Sequence, residues 1–168
     1  RAVRERVGMI DLSSFGKIDL NGPGALPLLQ KLACNDLDRP VGTIIYTQFL
    51  DRQGGIVGDV TVTRLAENYF RVVSGSSQVD SDLGWIRTHL KTDDPPVAIR
   101  EVTEHYAVIG LCGPCARDVL SAVTDSDVSD SALPYMTART ISINGMDVLA
   151  QRVSYVGELG WELYIPTR

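Results

Sequence analysis

The sequence predicts an α+β protein built from two related halves. Three observations carry this. A strand that runs through Gly-Pro into a helix occurs twice, as Ile18-Asp19-Leu20-Asn21-Gly22-Pro23-Gly24-Ala25 and again as Ile109-Gly110-Leu111-Cys112-Gly113-Pro114-Cys115-Ala116, with Leu29 matching Leu120. Glycine-bearing turns at Gly54-Gly55 and Asn144-Gly145 sit between β-rich runs, which is the signature of antiparallel hairpins. The Gly-x-Gly-x-x-Gly fingerprint and regular βα alternation of a parallel dinucleotide-binding sheet are both missing.

Arg1 to Val7 has helix-forming composition and is punctuated by Gly8. Residues 9–20 alternate, predicting two short strands or one bent strand. Residues 21–32 predict a helix with Leu26, Leu29 and Leu32 at helical spacing. Pro23 is tolerated in its first turn, where a missing N–H costs no helix bond, and Pro27 leaves the exact start open. Asn35 to Gly42 reads as loop and Thr43 to Leu50 as a strand. The Gly54-Gly55 turn then feeds a strand from Ile56 to Thr63, and Asn68 to Ser74 gives another. Ser76 or Ser77 is the expected cap of a helix whose stripe is Val79, Leu83, Trp85, Ile86 and Leu90.

Lys91 to Pro96 reads as a linker, dividing a first half, residues 1–94, from a second, residues 95–168. In the second half, residues 97–102 and 106–111 predict strands and Cys112-Gly113-Pro114-Cys115 opens a helix. The serine-rich, acidic stretch 121–131 is a surface loop. Strands at 138–143 and 146–153 flank Asn144-Gly145, and residues 154–165 form the last unit. His89 and His105 have no catalytic or metal partner at a suitable spacing and are read as structural, with no metal site expected.

The chain has 168 residues, 44% hydrophobic and 22% charged, enough to bury a core. With 16 basic against 21 acidic residues and net charge −5, no basic run can follow a phosphate backbone, so nucleic acid is not an expected partner. No apolar run reaches the roughly 20 residues that cross a bilayer, so no membrane partner is expected. Three cysteines do not make a disulfide framework, which suits a reducing compartment. The first residue, Arg1, and the stop just beyond a strand-like run read as the ends of a piece cut from a longer protein.

Alternation from Val57 puts Asp59, Thr61 and Thr63 on one face of their strand and Val60 and Val62 on the other, aiming the Asp59 carboxylate away from the apolar face. Asp59 is the candidate catalytic residue, although this local pattern alone favours a solvated strand residue. Cys112-Gly113-Pro114-Cys115 has the form of a dithiol redox site at a helix start. The first copy of the repeat keeps the Gly-Pro and places Asn21 and Gly24 where the cysteines stand, so the architecture explains the motif without redox chemistry.

The motifs Met9-Ile10-Asp11-Leu12-Ser13, Leu20-Asn21-Gly22-Pro23-Gly24-Ala25, Asn35-Asp36, Tyr46-Thr47, Gly54-Gly55-Ile56-Val57-Gly58-Asp59 and Tyr155-Val156-Gly157-Glu158-Leu159-Gly160-Trp161-Glu162 together resemble the folate-binding aminomethyltransferases. This family includes the glycine cleavage T-protein and the C-terminal regions of dimethylglycine and sarcosine dehydrogenases. The resemblance implies two swapped ferredoxin-like halves with antiparallel sheets, followed in full-length members by a barrel domain missing from these residues. It implies tetrahydrofolate as cofactor, a methylated amine as one-carbon donor and formation of 5,10-methylenetetrahydrofolate. Asp59 matches the family's catalytic aspartate; Tyr155 and Glu162 match its folate-binding positions, Glu162 at the pterin edge and Tyr155 packing on the ring or donating through its hydroxyl. Members often carry a second acid just before the aspartate, where this chain has Gly58.

The wording of residues 156–164 looks more like the dehydrogenase branch, whose members carry FAD in an upstream region. The alternatives are a glycine cleavage aminomethyltransferase and a non-catalytic regulatory domain on the same fold. A bacterial parent is expected in the cytoplasm, a eukaryotic one in the mitochondrial matrix.

Overall fold

Two five-stranded antiparallel sheets, each with its own apolar core, organise the chain. The computed structural model describes residues 1–167. It divides into two compact units, Ser14–Thr103 and Arg1–Ser13 together with the chain from Glu104 onward.

The first unit contains β2 (Gly16–Asn21), α2 (Ala25–Leu32), β3 (Ile44–Leu50), β4 (Ile56–Ala66), β5 (Tyr69–Ser74), α3 (Val79–Thr88) and β6 (Ala98–Glu101), with strand order β3-β4-β5-β2-β6. Ala25, Leu28, Leu29 and Leu32 of α2 and Leu83 and Ile86 of α3 pack into a core with Ile18, Leu20, Phe49, Val60, Val62, Phe70 and Val72. Pro27 is the third residue of α2, within the first turn, so it removes no helix hydrogen bond. The cap of α3 is Gln78 rather than Ser76 or Ser77, and no side chain closes it. His89 ends that helix, its Nδ1 2.9 Å from the Trp85 carbonyl and its ring 4.4 Å from the Trp85 ring, a structural role.

The second unit contains α1 (Ala2–Glu5), β1 (Gly8–Asp11), β7 (Tyr106–Cys112), α4 (Ala116–Ser121), β8 (Ala138–Ile143), β9 (Met146–Gln151) and β10 (Gly160–Pro166), in the order β1-β7-β10-β9-β8. Its core gathers Leu111, Ala116, Leu120, Ile141, Val148, Ala150, Trp161 and Leu163. At the β8–β9 turn Asn144 and Gly145 have φ of 50° and 76°, the double left-handed pair that a two-residue hairpin needs.

The two sheets repeat strand for strand. In each, the order from one edge inward is ferredoxin-like with one extra strand outside it, β3 in the first unit and β8 in the second. The edge strands are exchanged: β1 precedes β2 in sequence but pairs with β7, and β6 precedes β7 but pairs with β2. Because β6 hydrogen-bonds to β2, residues 98–101 stay with the first unit; because β1 hydrogen-bonds to β7, residues 8–11 join the second. The compact units therefore divide at 13/14 and 103/104, whereas the sequence suggested a single cut between 94 and 95.

The Gly-Pro turns repeat in detail. Gly22 and Gly113 both have φ of 131°, and the Ala25 and Ala116 amides donate to the Gly22 and Gly113 carbonyls, each at 2.9 Å. A Cβ on Gly22 would lie 2.6 Å from the Pro96 carbonyl oxygen and one on Gly113 2.5 Å from that of Arg6, so both turns require glycine for conformation and space. Among the described residues no helix is long and apolar enough to cross a membrane.

Candidate functional site

Asp59 sits on β4 directly opposite Gln48 of β3, two pairs along from Tyr46 and Thr61 and so on the same face. That register is why two donors converge on it, since cross-strand neighbours on one face stand within reach of long side chains. The Tyr46 hydroxyl donates to Asp59 Oδ2 at 2.9 Å and Gln48 Nε2 to Oδ1 at 3.0 Å. Both carboxylate oxygens are thus held in place while the group remains exposed. The loop behind it is shaped by Asp51, whose Oδ1 accepts from the amides of Gln53 at 2.9 Å and Gly55 at 2.7 Å, with Gly54 at φ 82°.

The face that carries Asp59 is not simply a solvated one. Further along it lie Lys17, Asp19, Thr63 and Arg71, all buried. Arg71 clamps Asp19 through Nε to Oδ1 at 2.7 Å and Nη2 to Oδ2 at 2.8 Å, and the Tyr69 hydroxyl adds a 2.5 Å bond to Oδ2. Val60 and Val62 face the core as expected, but Thr63 on the Asp59 face is fully buried.

Gly58 has a structural reason of its own. A Cβ there would lie 2.7 Å from Asp82 Oδ1 and 3.1 Å from the Phe49 ring. Asp82, on α3, is buried, and its Oδ2 accepts the Ser74 hydroxyl at 2.5 Å. Burial pushes its carboxyl above the ordinary aspartate range, with the Ser74 hydrogen bond opposing. The space that a side chain at 58 would take on the core face is already filled by a carboxyl group from the helix.

In the second unit Glu162 lies on β10, opposite Gly110 of β7 and Gln151 of β9. Its neighbour Trp161 faces the other way, fully buried, with the guanidinium groups of Arg117 and Arg152 5.7 and 5.6 Å from its ring and both paired to Asp130. Anchoring Trp161 in the core fixes the strand and so the direction of Glu162. The tyrosine that reaches Glu162 is Tyr164, two residues on and on the same face: its hydroxyl donates to Oε2 at 3.0 Å. Tyr155 is 92% exposed on the turn between β9 and β10. That turn rims a cavity of about 340 Å³ lined by Tyr135, Arg152, Ser154, Glu158 and Gly160. Tyr164 shares a face with Glu162 by strand alternation, and that alternation is the signal that could have found it.

Cys112 is buried and Cys115 half-buried, both as free thiols. Burial, and secondarily the Glu162 charge, push the Cys112 thiol up, the opposite of what a reactive redox cysteine needs. Among the described residues no cluster of three His, Cys, Asp or Glu side chains is placed to hold a metal ion.

The GCVT N-terminal domain family matches residues 1–168. The chain belongs to this family. It is 36% identical over 164 residues to the mitochondrial dimethylglycine dehydrogenase of Rattus norvegicus, covering 98% of the chain and 19% of that protein. It is 33% identical over 164 residues to the aminomethyltransferase of Bacillus licheniformis, covering 97% of the chain and 44% of that protein. The chain therefore spans less than half the length of these relatives. Among solved structures, the glycine cleavage system aminomethyltransferase T from Bartonella henselae superposes with a TM-score of 0.83 at 25% identity, covering 98% of the chain and 43% of that structure. The likeness to heterotetrameric sarcosine oxidase from Corynebacterium sp. U-96, TM-score 0.70 at 20% identity over 98% of the chain and 80% of that one, is a likeness of fold. The domain is thus aminomethyltransferase-like, and its relatives are enzymes.

Proposed function

We propose that this domain binds tetrahydrofolate and serves one-carbon transfer, with Glu162 recognising the pterin edge and Asp59 acting at the one-carbon end. The observation that carries the reading is the Asp59 carboxylate, at the position matching the family's catalytic acid, with each oxygen held by its own donor. A carboxylate fixed in this way needs no reorganisation to accept a proton from a reacting amine or to balance positive charge developing beside it.

The second unit fits the group. A pterin presents its 2-amino group and N3–H as parallel donors, and a carboxylate accepts both with charge-assisted bonds. Glu162 has that chemistry, and the Tyr164 hydroxyl restrains Oε2. When bound, tetrahydrofolate supplies the nitrogens that take up a carbon unit at the oxidation level of formaldehyde, yielding 5,10-methylenetetrahydrofolate. Tyr155, on its exposed turn, is proposed to pack on the ligand from there.

The carbon donor is proposed to be a methylated amine, and the parent a dehydrogenase-type enzyme with FAD in a different region of its chain. The 36% identity to dimethylglycine dehydrogenase supports this. A glycine cleavage aminomethyltransferase is the second reading, supported by the 33% identity to the Bacillus enzyme. In the full-length protein, folate-coupled turnover should fall by about 10²–10⁴-fold in Asp59→Ala, the range for loss of a positioned acid–base group. An Asp59→Ala protein as fast as the parent would sink the catalytic role.

A further inference from the structure

The internal repeat places equivalent residues on the two sheets, and they differ where the chemistry lies. Aligning the Gly-Pro turns makes Gly110 the counterpart of Asp19. The registers Asp19↔Arg71↔Thr63 and Gly110↔Glu162↔Gln151 then make Glu162 the counterpart of Arg71 and Gln151 that of Thr63. In the first unit the row closes on itself, because Asp19 and Arg71 form a bidentate buried pair. In the second, glycine replaces the acid, and the Leu12 side chain approaches to 2.9 Å of where a Cβ would be. On β10, Glu162 therefore stands across from Gly110 on β7 and from Gln151 on β9.

Gln151 is the telling member of that row. It is fully buried, and among the described residues both its Nε2 and its Oε1 lack a hydrogen-bond partner. Buried polar side chains nearly always find partners, and a wholly unsatisfied amide in a native strand needs an explanation. It stands directly across from Glu162, so the two side chains share a face with their Cβ atoms roughly 4.5–5.5 Å apart.

We propose that Gln151 is a further positioning residue for the ligand that Glu162 holds, its amide pairing with the polar group next to those that the carboxylate accepts. This inference rests on the folate reading. An amide offers a donor and an acceptor side by side, whereas the carboxylate offers acceptors alone. A pterin edge alternates in the same sense: beside the N3–H and 2-amino donors stand the O4 and N1 acceptors. Gln151 Nε2 is assigned as the donor to one of these acceptors, which makes the carboxylate–amide pair selective for a ring that carries donors and an acceptor in a row.

The test uses the full-length protein with Gln151→Met, which keeps the side-chain volume and removes the amide. Equilibrium binding is measured for three probes: tetrahydrofolate, tetrahydropterin without its tail, and p-aminobenzoylglutamate, which has the tail without the pterin. Thermal unfolding is measured without ligand. Affinity for the first two should fall about tenfold, as for a buried hydrogen bond lost in a complex, with p-aminobenzoylglutamate unaffected and the unfolding midpoint unchanged or raised. Normal tetrahydrofolate binding by the variant overturns the role of Gln151 and leaves the folate reading standing. A parent protein that binds neither tetrahydrofolate nor tetrahydropterin overturns both. A clear fall in the midpoint overturns the inference by showing that the amide is paired within the fold.

Discussion

Replacing Tyr46 by Phe removes one hydroxyl and tests whether the organisation around Asp59 matters to its chemistry. Tyr46 Oη lies 2.9 Å from Asp59 Oδ2, and the residue is 53% exposed. Hydrogen bonds to charged groups contribute about 1.5–3 kcal/mol when buried, and exposure brings this one to about 1 kcal/mol. If that bond orients the carboxylate for reaction, folate-coupled turnover should fall about fivefold in Tyr46→Phe. Thermal stability should hardly change. The decisive comparison is a double-mutant cycle in the full-length protein, measuring turnover in the parent, both single variants and the pair. With Asp59 already replaced by Ala, the Tyr46→Phe change should cost nothing further. An equal loss in both backgrounds would refute the orienting role and place the Tyr46 hydroxyl in a function independent of Asp59.

Three further outcomes follow from the geometry. Asp82 has a folded-state pKa raised by burial, so the stability linked to its protonated form is full below the ordinary aspartate pKa of about 3.9 and is lost as pH rises through the raised value. Asp82→Asn should remove that segment of the unfolding midpoint's pH dependence; an unchanged profile would contradict the burial argument. Gly58→Asp, which restores the family's second acid, should destabilise the first unit, because the new Cβ would sit 2.7 Å from Asp82 Oδ1, and Asp82→Ala should relieve it in a thermal melt. Timed alkylation followed by peptide mass analysis should label Cys34 first, its thiol exposed and its pKa lowered mainly by the Thr47 hydroxyl, and Cys112 last. Fast labelling of Cys112 would revive the dithiol reading.

Local pattern made much of the fold legible. The Gly-Pro repeat announces the paired architecture because both copies need a positive φ and no Cβ at the same step, and sequence records such constraints as invariant residue types. Asn144-Gly145 fixes its hairpin for a similar reason. The exchange of β1 and β6 is a matter of long-range pairing between segments roughly 90 residues apart, which no local periodicity encodes. The boundary between units moved on that account.

The candidate site divides along the same line. Asp59 stands out because it interrupts a β-rich run next to a glycine pair, but its partners Tyr46 and Gln48 depend on the β3–β4 register, set by a five-residue loop and a bulge at Phe49/Leu50. Tyr155 is conspicuous in the sequence motif yet exposed, whereas Tyr164 and Gln151, which share a face with Glu162, carry no motif of their own. Gly58 reads as a missing acid in one dimension and as a packed surface against Asp82 in three.

Binding and chemistry are assigned to different residues, and a single titration with two variants separates them. Tetrahydrofolate affinity is measured for the full-length protein and for Glu162→Ala and Asp59→Ala, alongside single-turnover one-carbon capture at saturating folate. Glu162→Ala should lose binding by at least about tenfold, as expected when a charge-assisted pair to the ligand is removed. Asp59→Ala should bind normally and fail in capture. Unimpaired binding by Glu162→Ala, or normal capture by Asp59→Ala, would contradict the assignment.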